Sequence, residues 1–143
     1  MNDSKPNYSL GSRPAARLAA LTGASVQAGF PSPAEGYLEG ALDLNRYCVS
    51  NPPATFFVRV AGDSMIGAGI GSGDLLVVDR SLKAQHNDIV VAVVDGEFTL
   101  KRLVVRGAQC WLHPENPDYC PLEITEDMEF EVWGRVTRVI REV

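Results

Sequence analysis

Histidine, cysteine and lysine are all scarce in this 143-residue chain, at two, three and three copies. His86 and His113 lie far apart and belong to no HExxH or carboxylate-rich spacing, so neither a metal site nor a cofactor is expected. Cys48, Cys110 and Cys120 are odd in number and form no CxxC pair, which removes support for a disulfide framework or a thiolate zinc site and fits a reducing cytoplasm. Long apolar runs are missing too, since none approaches the roughly 18 residues that cross a bilayer. Arg13 and Arg17 precede a stretch ending in Val26-Gln27-Ala28 that imitates a signal-peptide cleavage site. Its apolar part, Leu18 to Leu21, is only four residues, whereas a secretory core needs about 7–15. Neither secretion nor membrane insertion is expected.

Positive charge is in deficit. The formal charge is -5, which argues against a protein that grips nucleic-acid phosphates by charge neutralisation. The imbalance is uneven: residues 1–28 carry three cations against Asp3 alone, hence +2, and the remainder carries -7.

Hydrophobic residues at 45% and charged residues at 22% are ordinary globular values, and the length suits one domain with an arm. Residues 1–32, rich in Ser, Gly, Pro, Ala and Asn without a sustained period, read as a mobile arm. Ser32-Pro33-Ala34-Glu35 has the form of a capping box, and Leu38, Ala41 and Leu42 follow at helical spacing, so a short helix is expected there. Pro52-Pro53 ends it. Beyond, 55–61, 74–79, 88–95, 97–105 and 129–141 are rich in Val, Ile, Leu and Phe and separated by Gly, Asp and Asn, which predicts strands. Asp95-Gly96 between two such runs predicts a two-residue hairpin. The fold class expected is mainly β, a small, strongly bent sheet or barrel-like domain with one short helix.

No GxSxG elbow is present, and most serines read as caps or turn residues. Ser64 differs in its setting, at the end of a predicted strand within Gly62-Asp63-Ser64-Met65 and ahead of a glycine-rich loop. A serine nucleophile needs a base, and without a His-Asp pair the candidate is a lysine held neutral. Lys5 is in the arm and Lys83 in a polar loop, but Lys101 lies inside an apolar strand and shares a face with Thr99, Leu103 and Val105. Burial there disfavours the ammonium form. Against this stands the plain alternative that Lys101 snorkels to water and Ser64 merely caps a turn.

Gly62-Asp63-Ser64-Met65, Gly73-Asp74-Leu75-Leu76-Val77-Val78-Asp79, Asp88-Ile89-Val90, residues 95–101 and Asn116-Pro117-Asp118-Tyr119 together resemble the LexA-type self-cleaving serine peptidases. The 37-residue offset from Ser64 to Lys101 is also that of the family's dyad. Within the family the chain looks most like the UmuD-like branch, accessory subunits of error-prone translesion polymerases made in the bacterial SOS response. Ala28-Gly29-Phe30-Pro31-Ser32-Pro33 matches the segment around the scissile bond, and Asp43-Leu44-Asn45 the stretch after it. Ala28 departs from the cysteine best known in that branch, and residues 1–22 match nothing in it. The resemblance implies Ser64 as nucleophile, Lys101 as general base, and backbone N–H groups of Asp63 and Ser64 as oxyanion donors. It implies a cut between Ala28 and Gly29 that separates an arm, 1–28, from a peptidase and dimerisation domain, 29–143. Its implied partners are a second copy of the chain, a RecA-type recombinase filament on single-stranded DNA and the catalytic subunit of a Y-family polymerase. Specific DNA binding is not implied, because the arm is too short and too rich in glycine and proline for a helix-turn-helix. The competing readings are a β-rich dimeric module that never cuts itself, a repressor fragment, and a signal-peptidase relative without its anchor.

Overall fold

The computed structural model describes residues 18–22, 25–26, 28–29 and 38–143. The chain divides into two compact units, Met1–Tyr47 and Cys48–Val143. In the first, β1 (Leu18–Thr22) and β2 (Leu38–Asp43) form an antiparallel pair running from Leu18 opposite Asp43 to Thr22 opposite Leu38. Helix α1 (Leu44–Cys48) follows at once, its Arg46 N–H donating to the Asp43 carboxylate at 3.3 Å as an N-cap.

Two expectations are corrected here. Leu38, Ala41 and Leu42 lie in a strand, not a helix: Gly40, at φ 112°, interrupts any helical run, and β1 supplies the pairing that an isolated turn lacks. The capping box at 32–35 lies outside the described residues. Leu18–Thr22, read as part of a patternless arm, is a strand whose five residues are all exposed, so burial leaves no alternation to see.

The second unit holds seven strands: β3 (Thr55–Arg59), β4 (Leu75–Asp79), β5 (Ile89–Val94), β6 (Glu97–Arg106), β7 (Gln109–His113), β8 (Leu122–Ile124) and β9 (Phe130–Ile140). They pair antiparallel in the order β3-β4-β9-β5-β6-β7-β8, so the sheet stays open, with β3 and β8 at its edges. Register shifts at Val77/Val78 and Val91/Ala92 bend the ladder on both sides of β9. Between them Gly134 admits the Val78 side chain, since a Cβ there would lie 2.5 Å from Val78 Cγ1.

The apolar run of β5 has no polar alternation because both of its faces are covered. Val91 joins Val60, Met65, Ile70, Leu76 and Val78 in one core, whereas Val90 and Ala92 join Leu103 and Leu112 in the other. The expected hairpin is present between β5 and β6, with Asp95 and Gly96 at φ 49° and 82°, as a type I′ turn demands. Among the described residues no helix is long and apolar enough to cross a membrane.

Candidate active site

Ser64 stands just beyond β3, in a turn that opens with Gly62 at φ 93° and runs into a 3-10 turn at Ile66–Ala68. The glycine-rich loop after it is firmly tied. Met65 and Ile70 plug into the first core, and Val60 exchanges backbone hydrogen bonds with Gly73 and Asp74 (2.8 and 2.9 Å). Asp74, 4% exposed, closes the loop from inside. Its carboxylate accepts from Gly71 N–H (2.8 Å) and from Arg141 Nε and Nη2 (2.7 and 2.5 Å), and Nη2 also donates to the Gly69 carbonyl (2.8 Å). The Arg141 hydrogen bonds, with that from Gly71, hold the Asp74 carboxyl at about 2.

Lys101, in β6, meets Ser64 directly. Its Nζ donates to Ser64 Oγ at 3.1 Å, to Thr99 Oγ1 at 2.9 Å and to the Leu100 carbonyl at 3.0 Å. Burial pushes the Lys101 amine below its ordinary value, because desolvation penalises the charged form. The hydrocarbon around it differs in part from the sequence expectation. Leu103 is 5% exposed and buried as expected, but Val105 is 41% exposed; the second apolar wall is β5, whose Val90 and Ala92 stand opposite Lys101 and Thr99. Strand-by-strand counting sees only same-strand neighbours and misses this cross-strand contribution.

A third segment, between β7 and β8, grips the turn of Ser64. Glu115 N–H donates to the Ser64 carbonyl (2.8 Å), and Gly67 N–H donates to the Glu115 carbonyl (2.7 Å). Asn116 Nδ2 donates to the Asp63 carbonyl (2.9 Å), and Tyr119 OH donates to the Asp63 carboxylate. That hydrogen bond raises the Tyr119 hydroxyl above its usual range. Arg102, beside Lys101, completes the bracket by ion-pairing with Glu115. The motif 116–119 was visible in the sequence without a role. The signal that could have supplied one is an asparagine fixed before proline in an otherwise polar loop, which in the structure is 7% exposed.

The N–H groups of Asp63, Ser64 and Met65 donate no hydrogen bond among the described residues, and of the three residues Met65 is buried at 2% exposure. Beside Thr99 a cavity of about 220 Å³ opens, lined by Val58, Ala61, Leu76, Val91, Phe98 and Leu100. Ala28 and Gly29 belong to the first unit and are exposed there. Elsewhere, His86 is exposed and accepts the Val105 N–H on Nδ1 (3.0 Å), and the three cysteines are free thiols. Among the described residues no three His, Cys, Asp or Glu side chains converge to hold a metal.

Much of this sequence is shared with known proteins. Residues 20–137 match the family described as peptidase S24-like. Protein MucA of Salmonella typhimurium is 51% identical over 118 residues, 82% of this chain and 80% of its own. SamA of Salmonella typhimurium is 52% identical over 113 residues, 79% of this chain and 78% of its own. ImpA of Escherichia coli is 65% identical over 80 residues, 56% of this chain and 55% of its own. With a family match over most of its length and UmuD-like relatives above half identity, the chain belongs to the peptidase S24-like family, that of the LexA-type serine peptidases.

Proposed function

We propose that the protein cleaves itself between Ala28 and Gly29, and that the shortened product serves as a dimeric accessory subunit of an error-prone translesion polymerase. The observation that carries the reading is the 3.1 Å approach of a half-buried lysine amine to a serine hydroxyl. Lys101 Nζ, once neutral, takes the Ser64 proton as Oγ attacks the Ala28 carbonyl carbon. The carbonyl oxygen becomes an oxyanion received by N–H groups of the 63–64 turn. As the tetrahedral adduct collapses, the Ala28–Gly29 C–N bond breaks and Lys101 returns the proton to the Gly29 nitrogen. Water, deprotonated by the same amine, then hydrolyses the Ser64 ester and releases residues 1–28.

Because the scissile peptide is tethered, its effective concentration is set by arm docking rather than by diffusion. Small residues at 28 and 29 allow the close approach that attack requires. A RecA-type filament on single-stranded DNA acts in this scheme by favouring the docked conformation, a population shift. The cleaved dimer then engages the catalytic subunit of a Y-family polymerase in the cytoplasm.

Intact-mass measurement before and after incubation with activated recombinase filament, or alone at alkaline pH, tests the proposal. The expected product is residues 29–143, and neither Ser64→Ala nor Lys101→Ala should produce it. A chain that stays whole in every condition leaves a binding module in its place.

A further inference from the structure

The two peptide groups that flank Ser64 are each pinned from the same loop. The Asp63 carbonyl accepts from Asn116 Nδ2 at 2.9 Å, and the Ser64 carbonyl accepts from Glu115 N–H at 2.8 Å. A trans peptide is planar, so a carbonyl held in one direction aims the N–H of the next residue in the opposite one. Asn116 thereby sets the direction of the Ser64 N–H, and Glu115 that of the Met65 N–H. The asparagine is itself locked, since its Oδ1 accepts the Asp118 N–H at 3.0 Å and its side chain is almost fully buried.

We infer that Asn116 is a positioning residue for oxyanion stabilisation, acting through the Asp63–Ser64 peptide to hold the Ser64 N–H where negative charge develops. This rests on the self-cleavage reading above. Asn116 touches neither Ser64 Oγ nor Lys101 Nζ in the hydrogen-bond network, so it acts on charge stabilisation and leaves the proton acceptor alone.

The two roles separate in a pH profile. Self-cleavage is followed from neutral to alkaline pH in the full chain, where the midpoint reports the Lys101 amine and the plateau reports transition-state stabilisation. Loss of a single oxyanion donor costs on the order of 100-fold or more, and a misaimed one is expected to cost about 10- to 100-fold. Asn116→Ala should lower the plateau by that factor with the midpoint unmoved. Asn116→Asp keeps the shape and the oxygen that accepts from Asp118 but replaces the donor with an anion, so its plateau should fall further while its added charge moves the midpoint upward; its plateau alone serves if the alanine variant does not fold. A wild-type plateau in the folded variants overturns the inference. So does a midpoint displaced upward at an unchanged plateau, which marks a merely loosened site admitting water to the lysine. Ser64→Ala runs in parallel: continued cleavage in that variant defeats the self-cleavage reading itself, whereas its silence alongside a fully active Asn116→Ala defeats only the role given to Asn116.

Discussion

Gly67 offers the sharpest test of how the serine turn is held. Its backbone is not left-handed, so the residue is glycine for space alone: a Cβ there would lie 2.6 Å from the Glu115 carbonyl oxygen. An ordinary contact needs 3.4 Å or more, so Gly67→Ala must push the two backbones apart by about 0.8 Å. The Gly67 N–H to Glu115 hydrogen bond, now 2.7 Å, then stretches to the edge of hydrogen-bond range, and the Glu115 to Ser64 bond beside it is dragged along. Overpacking of this kind costs about 2 kcal/mol, or roughly 10 °C in Tm for a unit this small. Catalysis is more exposed, because a displacement approaching 1 Å is worth on the order of 100-fold in rate. Thermal unfolding and the rate of arm loss at alkaline pH, measured together, give both effects. Gly107→Ala is the control: at φ 60° with open space around it, the added methyl strains the backbone by about 1 kcal/mol far from the site and should spare the rate. A Gly67→Ala protein that cuts as fast as wild type would refute the idea that the 115–119 loop fixes the nucleophile.

Other outcomes follow from the charged groups. Self-cleavage should accelerate as pH rises through the lowered range of the Lys101 amine, and a flat profile in a folded protein would remove lysine as the base. Because the folded chain binds that proton less well than the unfolded one, its burial penalty is complete below the lowered value and fades as pH climbs to the ordinary 10.5. Urea titrations should therefore find Lys101→Met more stable than wild type at neutral pH, with the gap narrowing toward pH 10.5. Asp74 has the opposite sign: with its carboxyl lowered from 3.8 to about 2, its contribution is complete above the first value and lost as pH falls through the second. Acid unfolding of Asp74→Asn should lack that step between pH 4 and 2, and an acid limb identical to wild type would contradict the Arg141 pairing.

The β architecture was legible where burial leaves a mark. Strands β3 to β6 and β9 appear in the sequence as apolar runs, and Asp95-Gly96 announces its turn because few residue pairs accept two positive φ angles. Strands β7 and β8 were not legible: Gln109–His113 mixes polar and apolar residues, and Leu122–Ile124 is three residues long at a sheet edge. Leu38, Ala41 and Leu42 misled because a 3.6 spacing over five residues is equally compatible with a strand paired to something the pattern does not contain. At the site, Ser64 and Lys101 stood out by chemistry and elimination, whereas Asn116, Glu115 and Gly67 did not. Their importance lies in contacts between segments about 50 residues apart, and no local pattern encodes such a meeting.

The three oxygens around Lys101 Nζ have a consequence in proton counting. An ammonium has three hydrogens and finds three acceptors, so the charged state is saturated and idle. Remove one proton and a single lone pair appears, which the Leu100 carbonyl cannot serve because it has no hydrogen to give. Only two hydroxyls remain as rivals for that electron pair. If Thr99 offers its hydrogen, Ser64 stays a spectator; if Thr99 accepts instead, Ser64 is left as the donor and the nucleophile is armed. A threonine two residues from the proposed base thus competes with Ser64 for the one lone pair that could make Lys101 a proton acceptor.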